Sequence, residues 1–558
     1  MELKIFQQQL KSENIEAFLV TRNNMYLNQD VKKEENQLLK LSGFSGSQGY
    51  MIITCNKAWL FVDSRYSIQA RLETDKTQIE VVDVKYFFPA IISLLKKQHI
   101  KTLTCNPWCI SVYEWENFIK KGINLIANES LLKSIVIRSN NIFEHELQFT
   151  GKTSADKCLE VAQNFNEKYG AMLITSADEV SWLSNLRSDD LEHSPVLRAC
   201  GLLSKQGNLT IFADNCNHNN ILPLSELKNE LTKYAGQTIL IERNFTPQKI
   251  LSMIPDDVKT DTLGQNPLTS FKLKKNNTEI EGFKKAHIRD AVALVKFLHW
   301  FENNHHGKNE IDIVNKLREF RAQNNLFFSD SFSTIAASGK NAAIVHYNPD
   351  DKNCSAIADN SVLLIDSGAQ YYDGTTDVTR TIAVGNPADE VKNAFTQVLK
   401  AHIALSSSIF PKETSACALD TICRSKLWNF YKNYGHGTGH SVGHFLNVHE
   451  SPFGLSPNNT KFAEENYITS IEPGYYKENE YGIRIENMVY IEQTDDTNFL
   501  KFKNLTFVPI DKRLINAYLL SSEEQNWLNN YHKEVIDCLA PYLDTALREW
   551  LKDICSPL

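Results

Sequence analysis

Two aspartates, Asp366 and Asp377, lie next to predicted strands in the segment SVLLIDSGAQYYDGTTDVTRTIAVG. The run Val362–Ile365 predicts a buried strand that leads into Asp366, and Asp373 with the following glycine supplies turn residues. A second strand is expected to begin at Asp377. Adjacent strands would bring both carboxylates to one place, where they could bind a metal ion. Aspartate at a strand end is also a common turn residue or helix cap, so the pair alone leaves both interpretations open.

A group of histidines follows in HGTGHSVGHFLNVHE, at positions 436, 440, 444 and 449. The spacing of His436 and His440 would align two ligands on a helix, as in HExxH zinc peptidases. Gly437 and Gly439 disfavour that helix by about 1 kcal/mol each, and the glutamate of the motif is missing. A glycine-rich loop that aims each imidazole separately is expected instead. His444 precedes two apolar residues, which favours a hydrogen-bonded histidine of the core.

Two glutamates complete the pattern in YITSIEPGYYKENEYGIRIENMVYIEQ. Tyr467–Ile471 predicts a strand that ends at Glu472 and a Pro-Gly turn. Ile483–Ile491 predicts a second strand, whose near-regular alternation places Arg484 and Glu486 on one face. Because a buried isolated carboxylate is very costly, Glu486 must be paired with a basic side chain or bound to a cation. The strand alone does not decide between them.

Together these segments offer four carboxylates and one imidazole on strands or tight loops. Two carboxylates about 4 Å apart repel by roughly 4 kcal/mol at an effective dielectric near 20, so their convergence would require cations. Such a set fits two divalent ions. Oxygen ligands suit manganese, and the histidine also accommodates zinc, cobalt or iron. Paired metals about 3.5–4 Å apart activate water and polarise a carbonyl, which is a template for metal-assisted hydrolysis.

The elements that must position these residues form three successive regions. In the first two, short apolar runs alternate with helical stretches, which is an α/β pattern. Strands are expected at Ala17–Thr21, Gly49–Thr54, Trp59–Val62, Ile79–Val84, Ala171–Thr175, Ala199–Leu203 and Leu209–Phe212, and helices at Tyr66–Leu72, Phe87–Lys97, Ala155–Tyr169 and Glu179–Leu186. The third region opens with a long helix, Glu279–Asn303, for which Thr278 and Glu281 fit a capping box.

Composition restricts the class of protein. The chain has 558 residues, which exceeds one ordinary core. A net charge of -8 and a pI near 6.0 argue against a nucleic-acid partner. The first residues lack the apolar stretch of a signal peptide, and no run is long enough to span a membrane. The 11 scattered cysteines favour reduced thiols. We therefore expect a cytoplasmic protein without a membrane partner.

The four metal-site segments IDSGAQYYDGTTDVTRT, GHGTGHSVGHFLNVHE, SIEPGYY and GIRIEN resemble, in order and spacing, the motifs of the creatinase/aminopeptidase P family. TIAASGKNAAIVHYNP and LSGFSGSQGYMIITCNKAWLFVDSRYSIQA extend the resemblance over nearly the whole chain. The resemblance implies an α/β and α+β multidomain fold, with two creatinase-like α/β N-terminal domains followed by a C-terminal pita-bread catalytic domain. The expected bounds are residues 1–145, 150–268 and 270–558.

The resemblance also implies a role for each matching residue. The implied metal ligands are Asp366, Asp377, His440, Glu472 and Glu486. Glu472 would in addition shuttle a proton between the attacking water and the leaving nitrogen. His346 and His449 would contact the substrate around the scissile bond, and His436 would line the pocket near a proline. Arg65 matches a substrate-reaching position of the family, although a local pair with Asp63 explains it equally well.

The members that the chain most resembles are the three-domain Xaa-Pro aminopeptidases of the cytosolic type. They remove the N-terminal residue from peptides with proline second, and a homodimer is expected by the same resemblance. One alternative is a prolidase acting on Xaa-Pro dipeptides, or a relative acting on a non-peptide amide such as creatine. A second is a non-catalytic pita-bread binding module, as in some histone chaperones. The three-region length disfavours the prolidase, and the complete ligand set disfavours the binding module.

Overall fold

A computed structural model describes residues 2–27, 30–133, 141–214, 216, 218–262, 266–350 and 353–558. The chain divides into two compact units. The first unit consists of Met1–Glu146, Lys152–Leu191 and Pro195–Ser270, and the second of Leu147–Gly151, Glu192–Ser194 and Phe271–Leu558. Among the described residues, no helix has both the length and the apolar character needed to cross a membrane.

The described helices and strands are numbered here in chain order. The helices are α1 (Glu2–Ser12), α2 (Gln37–Ser42), α3 (Ser67–Glu73), α4 (Phe87–Lys97), α5 (Val112–Lys120), α6 (Leu147–Thr150), α7 (Ser154–Gln163), α8 (Ala177–Ser184), α9 (Leu227–Leu231), α10 (Gln248–Leu251), α11 (Pro267–Leu273), α12 (Asn277–Asn304), α13 (Glu310–Arg321), α14 (Asp389–Ser406), α15 (Ala416–Trp428), α16 (Ser522–Leu539) and α17 (Thr545–Ile554). The strands are β1 (Phe18–Thr21), β2 (Tyr50–Ile53), β3 (Ala58–Val62), β4 (Ile79–Asp83), β5 (Thr102–Cys105), β6 (Asn124–Ala127), β7 (Ile142–Glu144), β8 (Tyr169–Ile174), β9 (Leu186–Ser188), β10 (Cys200–Ser204), β11 (Leu209–Phe212), β12 (Ile221–Leu222), β13 (Thr238–Ile241), β14 (Lys259–Asp261), β15 (Phe327–Asp330), β16 (Ile335–Ser338), β17 (Ser361–Ser367), β18 (Ala369–Tyr371), β19 (Gly374–Thr375), β20 (Val378–Val384), β21 (Ile409–Pro411), β22 (Ile468–Ile471), β23 (Gly474–Lys477), β24 (Tyr481–Arg484), β25 (Asn487–Gln493) and β26 (Phe499–Asn504).

The first unit contains two six-stranded mixed sheets. Their strand orders are β4-β3-β2-β1-β5-β6 and β12-β11-β10-β8-β13-β14. In both sheets a central strand pairs antiparallel on one side and parallel on the other: β1 with β2 and β5, and β8 with β10 and β13. The alternation of apolar runs and helical stretches therefore correctly predicted two α/β modules in this part of the chain.

One predicted helix of this unit is too long. The expected helix Ala155–Tyr169 ends at Gln163, and Tyr169 already begins β8. Between them Asn166 forms a turn, because its side chain accepts from the Lys168 amide at 3.0 Å. Asparagine favours such turns by offering a local acceptor to the backbone. The apolar residues past the turn belong to the strand.

The second unit is built from small antiparallel sheets covered by long helices. The sheets that concern the site are β16-β17-β20, β21-β26-β25-β22 and the hairpin β23-β24. Val362 and Ile365 of β17 pack in one buried cluster with Val295 of α12 and Val398 of α14. The apolar run therefore forms a buried strand as predicted, and helices cover it.

Helix α12 confirms the predicted long helix but not its predicted cap. The cap residue is Asn276, whose side chain accepts from the Glu279 amide at 3.0 Å, while the Glu279 carboxylate accepts from the Asn276 amide at 2.9 Å. The prediction of a Thr278–Glu281 capping box is wrong. Both pairs have the same spacing, and asparagine caps a helix at least as well as threonine. The helix therefore starts two positions earlier than a cap at Thr278 would allow.

The predicted strand Ile483–Ile491 is also wrong as a single element. β24 ends at Arg484, and β25 begins at Asn487 in a different sheet. At the junction the Ile485 amide donates to the Pro473 carbonyl at 3.3 Å, and the Glu486 amide donates to the Thr379 carbonyl at 3.1 Å. Glu486 therefore lies where the chain crosses from one sheet to the next.

Candidate metal centre

The two aspartates lie at the same end of the β17–β20 pair. Asp366 of β17 is directly opposite Thr379 of β20, and Asp377 comes immediately before β20. Asp366 is 8% exposed and Asp377 is 4% exposed. The sequence prediction that neighbouring strands bring these carboxylates together agrees with this register.

The two glutamates meet in the same way at another pair of strands. Ile471 of β22 is opposite Asn487 of β25, so Glu472 follows one strand end and Glu486 precedes the other. Glu486 is buried, and its Oε2 accepts from the Thr379 hydroxyl at 2.8 Å. Since Thr379 is also the residue opposite Asp366, this bond joins the glutamate pair to the aspartate pair.

His440 adds a nitrogen to the carboxylates. Its Nε2 lies 3.3 Å from Asp377 Oδ2 and 3.6 Å from Glu472 Oε1. Its Nδ1–H donates to the Ser441 carbonyl at 3.0 Å. That bond fixes the tautomer and leaves Nε2 with its lone pair turned towards the carboxylates, which is the usual arrangement of a metal-binding histidine. Ligand atoms of Asp377, His440 and Glu486 all lie within 4.8 Å of one another.

Three carboxylate oxygens at this place are buried and have no hydrogen-bond partner among the described residues. They are Asp366 Oδ1, Asp377 Oδ1 and Glu486 Oε1. Burial, and then repulsion from Asp366, raises the pKa of Asp377 well above its usual range, and burial with repulsion from Asp377 does the same to the pKa of Glu486. Burial also raises the pKa of Glu472. Buried carboxylates that repel one another, each with one oxygen that lacks a partner among the described residues, fit divalent metal ions beside an imidazole nitrogen.

Sequence reasoning missed the basic partner of Asp366. The buried guanidinium of Arg484 binds Asp366 Oδ2 through Nη2 at 2.6 Å and Nε at 3.1 Å. The expected alternative, an ion pair between Glu486 and a basic side chain, is not what the structure has, because a threonine hydroxyl holds Glu486. The strand alternation did place Arg484 beside Glu486, but only the register of β17 and β20 shows which carboxylate it reaches.

A second missed residue, Tyr476, connects Arg484 to the histidine loop. Arg484 Nη1 donates to the Tyr476 oxygen at 2.7 Å, and the Tyr476 hydroxyl donates to His436 Nε2 at 2.7 Å. His436 Nδ1–H in turn donates to the Gly437 carbonyl at 2.7 Å. Hydrogen bonds at both ring nitrogens therefore hold His436 at the edge of the carboxylate group, where its Nδ1 lies 3.9 Å from Glu472 Oε2. No sequence pattern around Tyr476 indicated this connection.

The three remaining histidines singled out in the sequence lie either near the carboxylates or in the core. His449 is exposed, and its ring centroid lies 4.2 Å from that of His440 in an edge-on contact. His346 is half-buried and follows Val345, whose carbonyl accepts from Arg484 at 3.4 Å. His444 instead is buried, and its Nε2–H donates to the Asp373 carbonyl at 3.0 Å. His444 is thus a hydrogen-bonded core residue, as predicted.

Arg65 lies in the first unit. Its guanidinium pairs with the Asp63 carboxylate at 2.7 Å and donates to Gln48 at 2.9 Å. The local pair that was the alternative interpretation is therefore present.

Comparison with known proteins places this centre in a family. The sequence model of metallopeptidase family M24 matches residues 281–493, and that of its C-terminal region matches residues 498–558. Two models of the creatinase/prolidase N-terminal domain match residues 3–133 and 136–279. A probable Xaa-Pro aminopeptidase P of Laccaria bicolor is 34% identical, over 98% of this chain and 92% of its own length. The chain belongs to metallopeptidase family M24.

Other M24 relatives resemble the chain over its whole length. Xaa-Pro aminopeptidase 1 of Dictyostelium discoideum is 33% identical, over 98% of this chain and 95% of its own. The crystal structure of the X-prolyl aminopeptidase of Caenorhabditis elegans, described as a cytosolic enzyme with a dinuclear active site, is 29% identical. It covers 100% of this chain and 99% of its own, with a TM-score of 0.92. The predicted fold is thereby confirmed: two creatinase-like N-terminal domains precede a C-terminal pita-bread domain of the M24 family.

Proposed function

We propose that the protein is a metal-dependent aminopeptidase that hydrolyses the bond between an N-terminal residue and a proline in the second position. The observation that carries the proposal is the meeting of four carboxylates and His440 Nε2, with buried oxygens of Asp366, Asp377 and Glu486 that have no hydrogen-bond partner in the described part of the chain. The names of the M24 relatives supply the substrate class, because the full-length relatives described above are named Xaa-Pro or X-prolyl aminopeptidases.

The proposed ligands of two divalent ions are Asp366, Asp377, His440, Glu472 and Glu486. Four strand ends present the carboxylates and one loop presents His440. Ligand atoms of Asp377, His440 and Glu486 are close enough together for a shared ion. The dinuclear active site of the C. elegans enzyme supports a pair of ions rather than one. Manganese is the proposed ion because four of the five ligands are carboxylates, and zinc, cobalt or iron would also fit the histidine.

The ions, when bound, would supply an activated water and polarise the scissile carbonyl. The side chains of the protein do the rest. Glu472 is the least buried of the proposed carboxylate ligands, with 17% of its side chain exposed, and its Oε1 accepts from the Ser470 hydroxyl at 3.2 Å. It is therefore placed to accept a proton from the attacking water and to pass it to the leaving proline nitrogen.

Histidines at the edge of the carboxylates are the proposed substrate contacts. His449, stacked edge-on against His440, and His346 would donate to the carbonyl oxygen as negative charge develops on it. His436, held by Tyr476, would line the pocket for the proline ring. Arg65 remains a proposed substrate contact, in competition with its pair to Asp63.

A proline in the second position poses a particular problem for peptidases. The Xaa-Pro bond is a tertiary amide without an N–H, and its φ angle is fixed by the ring. Peptidases that bind an extended backbone through that N–H cannot hold it. A site that activates water through metal ions and accepts the ring in a side-chain pocket does not need that contact.

Several properties of the whole protein belong to the same proposal. The domain bounds are residues 1–145, 150–268 and 270–558, supported by the separate six-stranded sheets and by the matches of the domain models. The proposed location is the cytoplasm, by analogy with the cytosolic C. elegans enzyme. A homodimer is proposed from resemblance to the family. Neither nucleic acid nor a membrane is a proposed partner, in keeping with the acidic net charge of -8.

The test is to incubate the purified chain with Mn²⁺ and three peptides in parallel: Arg-Pro-Pro, Arg-Ala-Pro and the dipeptide Arg-Pro. Release of arginine from Arg-Pro-Pro, with much less from Arg-Ala-Pro, is the expected result. Hydrolysis of the dipeptide alone would favour a prolidase and refute the aminopeptidase. If no peptide is hydrolysed and the chain binds no Mn²⁺, the result would favour the non-catalytic binding module.

A further inference from the structure

A second group of side chains that could hold a metal ion lies in the second unit, apart from the proposed centre. It consists of His305, His306 and Asp359, and one ligand atom of each lies within 4.8 Å of the others. His305 is half-buried, and the other two are exposed. None of the three belongs to the set that the aminopeptidase chemistry uses.

Two features of the backbone, a turn after α12 and an antiparallel pairing, bring these residues together. His305 caps the C-terminal end of α12, with its amide donating to the Phe301 carbonyl at 3.1 Å, and Gly307 at φ 72° turns the chain back. Beyond the turn, Asn309 pairs antiparallel with Ala356, and the Ile357 amide donates to the Lys308 carbonyl at 3.0 Å. This pairing brings the segment that contains Asp359 to the turn after α12, where a ligand atom of Asp359 lies within 4.8 Å of those of both histidines.

The imidazole of His305 is prepared for coordination. Its Nδ1–H donates to the Phe301 carbonyl at 2.9 Å, which leaves the lone pair of Nε2 available. The ring also stacks on Phe301, with centroids 5.0 Å apart, and lies 4.1 Å from the ring of His306. The helix end therefore holds the first histidine in place, and that histidine limits the positions of the second.

The site is remote from the proposed catalytic centre. Asp359 lies just before β17 and Asp366 lies near its far end, and the extended stretch from Ser361 to Asp366 alone spans roughly 16 Å at about 3.3 Å per residue. An ion here could not take part in the hydrolysis directly. It would instead connect the C-terminal end of α12 to the segment that leads into β17.

We propose that His305, His306 and Asp359 form a third metal site, which binds Zn²⁺ and clamps the end of α12 to the start of β17. Two imidazoles and one carboxylate suit zinc better than magnesium or calcium, which prefer oxygen ligands only. Three protein ligands leave a fourth, solvent-facing position for water, as in other open zinc sites. The proposal does not depend on the aminopeptidase function.

The experiment counts zinc bound to the full-length chain after dialysis against a fixed concentration of free Zn²⁺, using element-specific mass spectrometry. The variants are His306→Ala and Asp359→Asn, both of which change exposed side chains. His299→Ala, which removes another histidine of α12, is the matched control. The expected result is one zinc fewer per chain in both variants than in the wild type and the control. Equal zinc counts in all four proteins would overturn the proposal.

A second measurement separates this site from the catalytic centre. Zn²⁺ should raise the thermal unfolding midpoint of the wild type and of the His299→Ala control more than that of either site variant, because only proteins with the intact site bind the additional ion. An equal rise in all proteins would count against the clamp. With Mn²⁺ both variants should hydrolyse Arg-Pro-Pro like the wild type. Failure of every protein to hydrolyse that peptide would refute the proposed function and leave the zinc count unaffected.

Discussion

Asp366 and Arg484 form a buried ion pair in which Oδ2 and Nη2 are 2.6 Å apart. The guanidinium binds one carboxylate oxygen and leaves the other, Oδ1, without a hydrogen-bond partner among the described residues. Arg484 also compensates part of the negative charge there. It therefore positions a proposed metal ligand without being one itself.

Replacing Arg484 with lysine should preserve the positive charge but lose the paired hydrogen bonds that Nε and Nη2 donate to Asp366. Since a displacement of about 1 Å at a catalytic centre can cost about a hundredfold in rate, we expect kcat to fall by that order. The measurement is kcat on Arg-Pro-Pro with the manganese content per chain. Arg71→Lys, at an exposed ion pair of the first unit, is the control and should leave both unchanged. Full activity in Arg484→Lys would contradict the positioning role.

Glu472→Gln should abolish turnover. Glutamine is the same size but cannot accept the proton that must leave the attacking water, and general-base removal costs about a hundredfold or more in rate. The control is Glu480→Gln, at an exposed glutamate with half of its side chain accessible. Single-turnover kinetics on Arg-Pro-Pro, with the unfolding midpoint as a check on folding, provide the comparison. Wild-type rates in the folded Glu472→Gln variant would rule out its proton-transfer role.

Gly439→Ala should damage the centre far more than Gly437→Ala. A Cβ at Gly439 would lie 1.9 Å from the Ser470 carbonyl oxygen, whereas at Gly437 the nearest atom, the Leu455 carbonyl oxygen, is 3.2 Å away. The Ser470 hydroxyl also accepts a hydrogen bond from the His440 amide at 2.9 Å. A clash at Ser470 would therefore displace His440, a proposed metal ligand. We expect a destabilisation of about 1–3 kcal/mol and weaker manganese binding for Gly439→Ala. Denaturant unfolding and metal titration of both variants would measure it, and similar behaviour of the two would refute the close-packing argument.

The burial of His287 should make the free energy of unfolding decrease as the pH falls. It is buried on α12, and burial lowers the pKa of its imidazole to about 4. Below the unfolded pKa of about 6.5 the unfolded chain binds a proton that the folded chain does not, so stability is full above that pH and decreases as pH falls towards 4. The linked loss is about 3 kcal/mol for this group alone. Denaturant unfolding between pH 7 and 4 should show a weaker pH dependence for His287→Gln than for the wild type. An identical slope would contradict the buried neutral histidine.

The local part of this structure could be predicted from the sequence. The apolar run before Asp366 indicated a buried strand, and the turn residues after it indicated that Asp377 would return to the same end. The position of His444 before two apolar residues indicated its place in the core. Each of these inferences depends on a few neighbouring residues, for which periodicity and turn chemistry are sufficient.

What the sequence did not reveal depends on pairing between distant segments. The regular alternation from Ile483 to Ile491 hid the crossover at Glu486, because a chain that changes sheets can keep its apolar spacing. The bond of Glu486 to Thr379 and that of Arg484 to Asp366 join residues more than a hundred positions apart. No local pattern distinguishes a carboxylate held by a hydroxyl from one held by a guanidinium. The register of β17, β20, β24 and β25 makes that choice.

The most direct test of the proposed centre is X-ray diffraction from crystals of the chain loaded with Mn²⁺, recorded at the manganese absorption edge. The expected result is two anomalous peaks per chain, one bound by Asp366 and the other by His440 Nε2, with Asp377, Glu472 and Glu486 completing or bridging the pair. A fully loaded crystal with no peak among these residues, or with manganese bound only elsewhere in the chain, would contradict the proposed metal centre.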